Sequence, residues 1–159
     1  MVASANKAVE GRRVDTLFVG TYRHSLDTKR RFTIPSEWRG RTKDERGLYV
    51  LPRVEGKCLC VFTESELTER LTSVGRFSIL DQKAREFTRV LGSRAALVAW
   101  DPQGRVRIKD ELLEEINVTD SVALVGNFWF FEIWNPKEFA KSGGTNYAKL
   151  VKAVRHVGL

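Results

Sequence analysis

Asp27-Thr28-Lys29-Arg30-Arg31, followed by Phe32-Thr33-Ile34, is answered later in the chain by Asp101-Pro102-Gln103-Gly104-Arg105, followed by Val106-Arg107-Ile108. In both stretches an Asp opens a turn, an Arg closes it four residues on, and a short β-type run follows. The second stretch lies 74 positions after the first, and the same step carries Glu37 to Glu111 and Val50 to Leu124. Further on, Leu59-Cys60-Val61-Phe62 is answered by Phe131-Glu132-Ile133-Trp134 at a step of 72, so the second copy is two residues shorter, most simply between Pro52 and Lys57. An internal repeat governs the fold. Two copies of about 50 residues predict two halves related by a pseudo-two-fold axis, with two similar loops that suit a partner having its own repeat or symmetry.

Worked outward from these loops, each copy predicts strand, turn, strand, short helix, strand, strand, helix. Thr21 to Leu26 reads as a strand, Asp27 to Arg30 as a turn and Arg31 to Ile34 as the returning strand of a hairpin. The Asp carboxylate suits the turn because it accepts backbone N–H bonds two residues on. Pro35 starts a short helical segment. Leu48–Leu51 and Cys58–Phe62 are strands, and Thr63 with Glu66 three residues on is a capping box. A second helix is expected from Asp81 to Leu91. In the second copy, Ala95–Trp100, Arg105–Ile108, Ser121–Val125 and Phe128–Trp134 are strands, the last two joined at Gly126-Asn127. Asn135 caps the closing helix, with Pro136 at its first position and Glu138 as capping-box partner. The fold class is α+β and rich in strand. The expected divisions are a disordered basic leader over 1–16, copy one over 17–68, a helical connector over 69–94, copy two over 95–140 and a basic tail over 141–159, with one amphipathic helical turn or two.

The 159 residues carry a net charge of +7, unevenly placed. Residues 1–60 hold 13 Lys/Arg against 7 Asp/Glu, whereas residues 61–159 hold 14 against 13. Basicity concentrated around the first copy favours a polyanion, of which nucleic acid is the common case. No apolar run approaches the roughly 18 residues of a membrane span, and no signal-peptide apolar region precedes the first strand. A cytoplasmic protein without a membrane partner is expected.

Enzyme chemistry finds little support. His24, Ser25 and Asp27 are triad residue types, but neighbours on one strand point to opposite faces and cannot converge. No P-loop, dinucleotide-binding fingerprint or zinc spacing occurs. Cys58 and Cys60 alternate onto one strand face and read as structural thiols, because a metal site needs further ligands and the only histidines are His24 and His156. No catalytic residue, metal, cofactor or small-molecule substrate is predicted. The loops instead gather cations: Lys29, Arg30 and Arg31 beside Arg23 and His24 in copy one, and Arg105 and Arg107 in copy two. Exposed cations in such a cluster call for an anion, and several phosphate contacts together give usable affinity through counterion release. Arg also reads guanine O6 and N7, with Asp27 and Asp101 holding Arg31 and Arg105 in place.

The run Val19-Gly-Thr-Tyr-Arg-His-Ser-Leu-Asp-Thr-Lys-Arg-Arg31-Phe-Thr-Ile-Pro35, the paired D-x-x-x-R loops and Phe131-Glu-Ile-Trp134 resemble the MraZ family of bacterial regulators of the division and cell wall gene cluster. The resemblance spans about residues 17–140. It implies two tandem SpoVT-AbrB type units, ring-shaped homo-oligomers, and repression of the protein's own operon through direct repeats in promoter DNA, at the nucleoid. It places DNA contacts at Asp27, Lys29, Arg31, Asp101 and Arg105. Copy one departs from the family pattern by carrying Arg30 where Gly is usual, and copy two by Lys109 where Pro is usual.

Three readings follow. The first is a sequence-specific DNA-binding repressor. The second is a non-specific nucleic-acid-binding module that coats the nucleoid or binds RNA, and the third is an antitoxin-like interaction module. Copy one is expected to carry most of the phosphate contacts. One hairpin tip cannot bury the roughly 1,000 Å² that specific sites use, which predicts a closed homo-oligomer linking several loops. Trp38, Phe128, Trp129 and Phe130 are candidates either for its interface or for the core.

Overall fold

The computed structural model describes residues 17–42, 46–53, 56–78, 81–144 and 146–158. The leader expected over 1–16 lies outside them. The chain runs β1 (Thr21–Ser25), β2 (Arg31–Thr33), a 3-10 turn (Ser36–Trp38) leading into α1 (Arg39–Thr42), β3 (Leu48–Pro52), β4 (Cys58–Thr63), α2 (Glu64–Ser78) and α3 (Gln82–Arg94). It then repeats β5 (Ala96–Val98), β6 (Arg105–Arg107), α4 (Asp110–Glu115), β7 (Ser121–Asn127), β8 (Phe130–Trp134) and α5 (Pro136–Lys141), and closes with α6 (Tyr147–Val157). The fold is α+β, as the sequence predicts.

The pairing of the strands shows the symmetry directly. The main antiparallel sheet has the order β1-β7-β8-β4-β3-β5. Exchanging each strand for its counterpart 72 or 74 residues away returns the same order reversed. At the centre, Cys60 pairs with Glu132, its own repeat counterpart. In the separate two-stranded ribbon, Phe32 pairs with Val106, again its own counterpart. A pseudo-two-fold axis therefore passes through both pairs.

The expected hairpin is corrected by this topology. β1 does not pair with β2: β1 pairs with β7 of the other copy, and β2 with β6 of the other copy. The segment between β1 and β2 is thus a corner between two sheets. Each copy gives its outer strand to its partner, because an isolated strand pair buries too little to be stable and the two interleaved copies share one core. That core lies between the ribbon and one face of the main sheet. Phe18, Trp38 and Phe131 are its aromatic centre, with Phe18 edge-on to Trp38 at 5.4 Å and Phe131 tilted against Trp38 at 4.9 Å. Trp38 is fully buried and donates Nε1–H to the Val19 carbonyl at 2.9 Å, so it belongs to the core and not to an interface.

The helix signals hold in part. Asn135 Oδ1 accepts from the Lys137 and Glu138 amides at 2.8 and 3.4 Å, as a helix cap should. Glu138, expected to complete a capping box, reaches Lys57 at 3.5 Å instead. The tail forms α6, three turns long, capped by Asn146 and ended by Gly158 in left-handed geometry. The β7–β8 turn falls at Phe128-Trp129, two residues beyond the expected Gly126-Asn127, with Phe128 at φ 62°. Gly126 serves a different need. A Cβ there would lie 2.4 Å from the Phe18 carbonyl oxygen, so the glycine lets the N-terminal segment cross β7.

Candidate nucleic-acid interface

The ribbon sets the geometry of the candidate site. Its register opposes Arg31 to Arg107, Phe32 to Val106 and Thr33 to Arg105. Phe32 and Val106 are buried in the core. Alternation then turns Arg31, Thr33, Arg105 and Arg107 to the outer face, where three arginines from both copies lie side by side across the pseudo-dyad.

Each flanking corner is built by its Asp. Asp27 Oδ1 accepts from the Lys29 and Arg31 amides at 2.9 and 2.8 Å, and its Oδ2 accepts Arg31 Nε at 2.8 Å. Asp101 repeats the pattern with the Gln103 and Arg105 amides, each at 2.9 Å, and with Arg105 Nε at 2.5 Å. The Asp27 carboxyl is held below its usual range first by the Arg31 amide, then by the Arg31 side chain. For Asp101, partial desolvation pushes up, but the Arg105 amide and guanidinium together outweigh it and leave the carboxyl lowered. Both aspartates are therefore ionised at neutral pH and fix the direction of their arginines.

The two corners are also joined. Arg31 Nη1 lies 3.8 Å from Asp101 of the other copy, so Arg105, Asp101, Arg31 and Asp27 form one chain of alternating charge. A second group centres on Asp110, which takes Arg30 Nε at 2.8 Å and Arg107 at 3.4 Å. Arg30 also donates to the Thr119 carbonyl at 3.4 Å. The cation cluster is thus partly neutralised from within, by carboxylates of the second copy as well as the first. Lys29 and these four arginines still outnumber the three aspartates, which leaves the face with an excess of positive charge.

The departure at Arg30 leaves the turn unchanged. Arg30 adopts φ 60° and Gly104 φ 80°, and each donates its amide to the opening Asp carbonyl at 2.9 Å. Arg30 therefore accepts a left-handed conformation that favours glycine, and its side chain is anchored on Asp110. In copy two the Arg39 side chain lies over the glycine, and a Cβ there would meet its Nε at 2.8 Å, so the guanidinium would have to move aside.

The remaining predicted residues divide. His24 is half-buried and pairs with Val122 on the core side of β1. Arg23 pairs with Ala123 and points to the opposite face, where it borders a surface pocket with Asp120, Asn135 and Lys137. The structure therefore does not bring Arg23 to the ribbon arginines. Sequence reasoning missed Asp110 and Arg39. Asp110 had one local signal, its position three residues after Arg107; Arg39 had none, since its role depends on the swap that lays copy one over the copy-two turn. Among the described residues no helix is long and apolar enough to cross a membrane.

No protein-family model matches the chain. Individual relatives do. Transcriptional regulator MraZ of Thermomicrobium roseum is 32% identical over 124 residues, covering 78% of this chain and 85% of the relative. The protein of the same name from Cutibacterium acnes is 30% identical over 125 residues, covering 79% and 86%. That of Halothermothrix orenii is 30% identical over 149 residues, covering 90% of this chain and the relative's full length. Identity at this level, sustained across nearly the whole of each relative, establishes that the chain belongs to the MraZ family.

Proposed function

We propose that this chain is a DNA-binding transcriptional repressor that reads short direct repeats in promoter duplex DNA, including that of its own division and cell wall operon. The carrying observation is the joint outer face of the ribbon, where Arg31, Arg105 and Arg107 stand together and two ionised aspartates aim two of them. An aimed guanidinium suits a base edge or phosphate, whereas a freely rotating one gives only charge. The names of its relatives support the reading, since each is a transcriptional regulator.

In this reading residues 17–68 and 95–140 are two SpoVT-AbrB type units, 69–94 connects them, and the reading face belongs to both. Asp27, Lys29, Arg31, Asp101, Arg105 and Arg107 carry it. Arg30 acts by bracing the corner, and Arg23 and His24 stand outside the reading face. One such face is small, so subunits assemble into a closed ring that sets several faces at the spacing of the DNA repeats. The protein then works in the cytoplasm, on the nucleoid.

The test is a gel shift at fixed salt with the chain's own upstream DNA, the same duplex with its repeats scrambled, and a random duplex. Tighter binding to the intact repeats is expected. Equal affinity for all three duplexes sinks operator recognition and favours a non-specific coating module. Light scattering at micromolar concentration tests the assembly, and a strict monomer that still selects the repeats overturns the ring.

A further inference from the structure

On the sheet face opposite the ribbon, the central pair β4–β8 brings three ligating side chains together. Cys58 and Cys60 come from copy one and Glu132 from copy two, and one ligand atom of each lies within 4.8 Å of the others. Cys60 and Glu132 are the pair through which the pseudo-dyad passes. We propose that Cys58, Cys60 and Glu132 form a binding site for a zinc-like divalent metal ion that ties the two copies together. The site is independent of the DNA-binding reading.

Three observations carry this. The first is spacing. A tetrahedral zinc ion with a thiolate and a carboxylate oxygen at ordinary bond lengths separates the two donors by about 3.6 Å. Cys58 Sγ already stands 3.6 Å from Glu132 Oε2. The second is the chemistry of the donor set. Two thiolates suit zinc-like ions, and three protein ligands leave the fourth tetrahedral position to water.

The third is charge. The Glu132 side chain is only 9% exposed, and it is held by Arg53 at 2.9 Å and by Trp134 Nε1–H at 3.3 Å. A divalent ion that enters displaces one proton from each thiol to solvent. Two thiolates then balance the metal, while Glu132 and Arg53 balance each other. The buried net charge is the same before and after, so the ion brings no unpaired charge into the sheet. Arg53 and Trp134, which hold Glu132 Oε2 and Oε1, then orient the carboxylate ligand.

A disulfide is the poorer use of this pair. Residues two apart on one strand have Cα atoms roughly 6.6 Å apart, near the upper limit for a disulfide.

The test titrates the reduced, chelator-treated full chain with Co²⁺ as an optical stand-in for Zn²⁺. The expected result is a near-ultraviolet thiolate-to-cobalt band with visible bands of tetrahedral intensity. One equivalent of Zn²⁺ should displace them, protect both thiols from a thiol reagent and raise the melting temperature. Cys60→Ser, at a half-buried position that tolerates the change, should remove the band while circular dichroism stays native. Arg53→Ala should keep the band and weaken binding by about tenfold. Absence of the band in the wild-type chain overturns the site. So does its persistence in Cys60→Ser, which would place the metal elsewhere.

Discussion

In copy one the residue before the closing arginine is Arg30 at φ 60°; in copy two it is Gly104 at φ 80°. The backbones of the two turns are the same, down to the bonds that each Asp makes. Their surroundings differ. Arg30 reaches outward to Asp110 of the other copy, whereas Gly104 is overlaid by Arg39 of the other copy. Each turn is therefore completed by the opposite half of the chain, once through a charge and once through a close approach. A duplicated motif keeps its shape when its own Asp fixes the backbone, and its outer surface is then free to diverge.

The largest expected difference is in DNA binding. Arg31 lies between both aspartates, and Arg105 contacts only its own. Arg31→Ala should weaken operator binding by about 10–100-fold, the range for an arginine reading a base, and Arg105→Ala by less. Fluorescence anisotropy at constant salt measures both. A greater loss from Arg105→Ala, with the fold intact, would reverse the ranking of the copies.

Stability should separate the turns next. Gly104→Ala forces a side chain into left-handed backbone against Arg39 and should cost about 1–2 kcal/mol. Arg30→Gly relieves that strain but loses an exposed ion pair and adds chain entropy, so urea unfolding should move by no more than about 1 kcal/mol. Equal losses in the two variants would mean that the turns are not equivalent after all. A smaller term is the Arg30–Asp110 pair itself. A double-mutant cycle with both alanines should give a coupling of about 0.2–1 kcal/mol, falling with salt. A coupling that ignores salt would show that Arg30 acts by packing.

The smallest difference at neutral pH is electrostatic. Both carboxyls are lowered from 3.8 in the folded chain. Their stabilising effect is complete above that value and fades as acid protonates them through the lower folded value. Unfolding followed from pH 6 to pH 2.5 should steepen only below pH ~4, and Asp27→Asn with Asp101→Asn should flatten the slope. A loss centred well above pH 4 would mean that these two carboxyls are not its source.

The repeat and both D-x-x-x-R turns were legible because each depends on residues a few positions apart. The caps at Thr63 and Asn135 were legible for the same reason. The exchange of outer strands was not, since a hairpin and a corner have the same local pattern and only the core decides which partner β1 takes. Gly126 misled for a related reason: a glycine that admits a crossing strand looks the same in sequence as a turn glycine. Phe128 and Trp129 sit at the actual turn, and their rings are half exposed. Glu132 gave no sign of joining Cys58 and Cys60, because the contact depends on register across the dyad.

The exchanged outer strands also bear on how the chain is made. β1 finds its partner β7 about a hundred residues later, at Ser25 with Ser121 and Thr21 with Val125. Until β7 has emerged from the ribosome, copy one has no strand to receive β1, and its apolar strands stay open. Loop closure over such a distance is slow, and unpaired edges are open to wrong partners in the interval. Folding should therefore be a single late event of the whole chain, with neither half a stable body when produced alone.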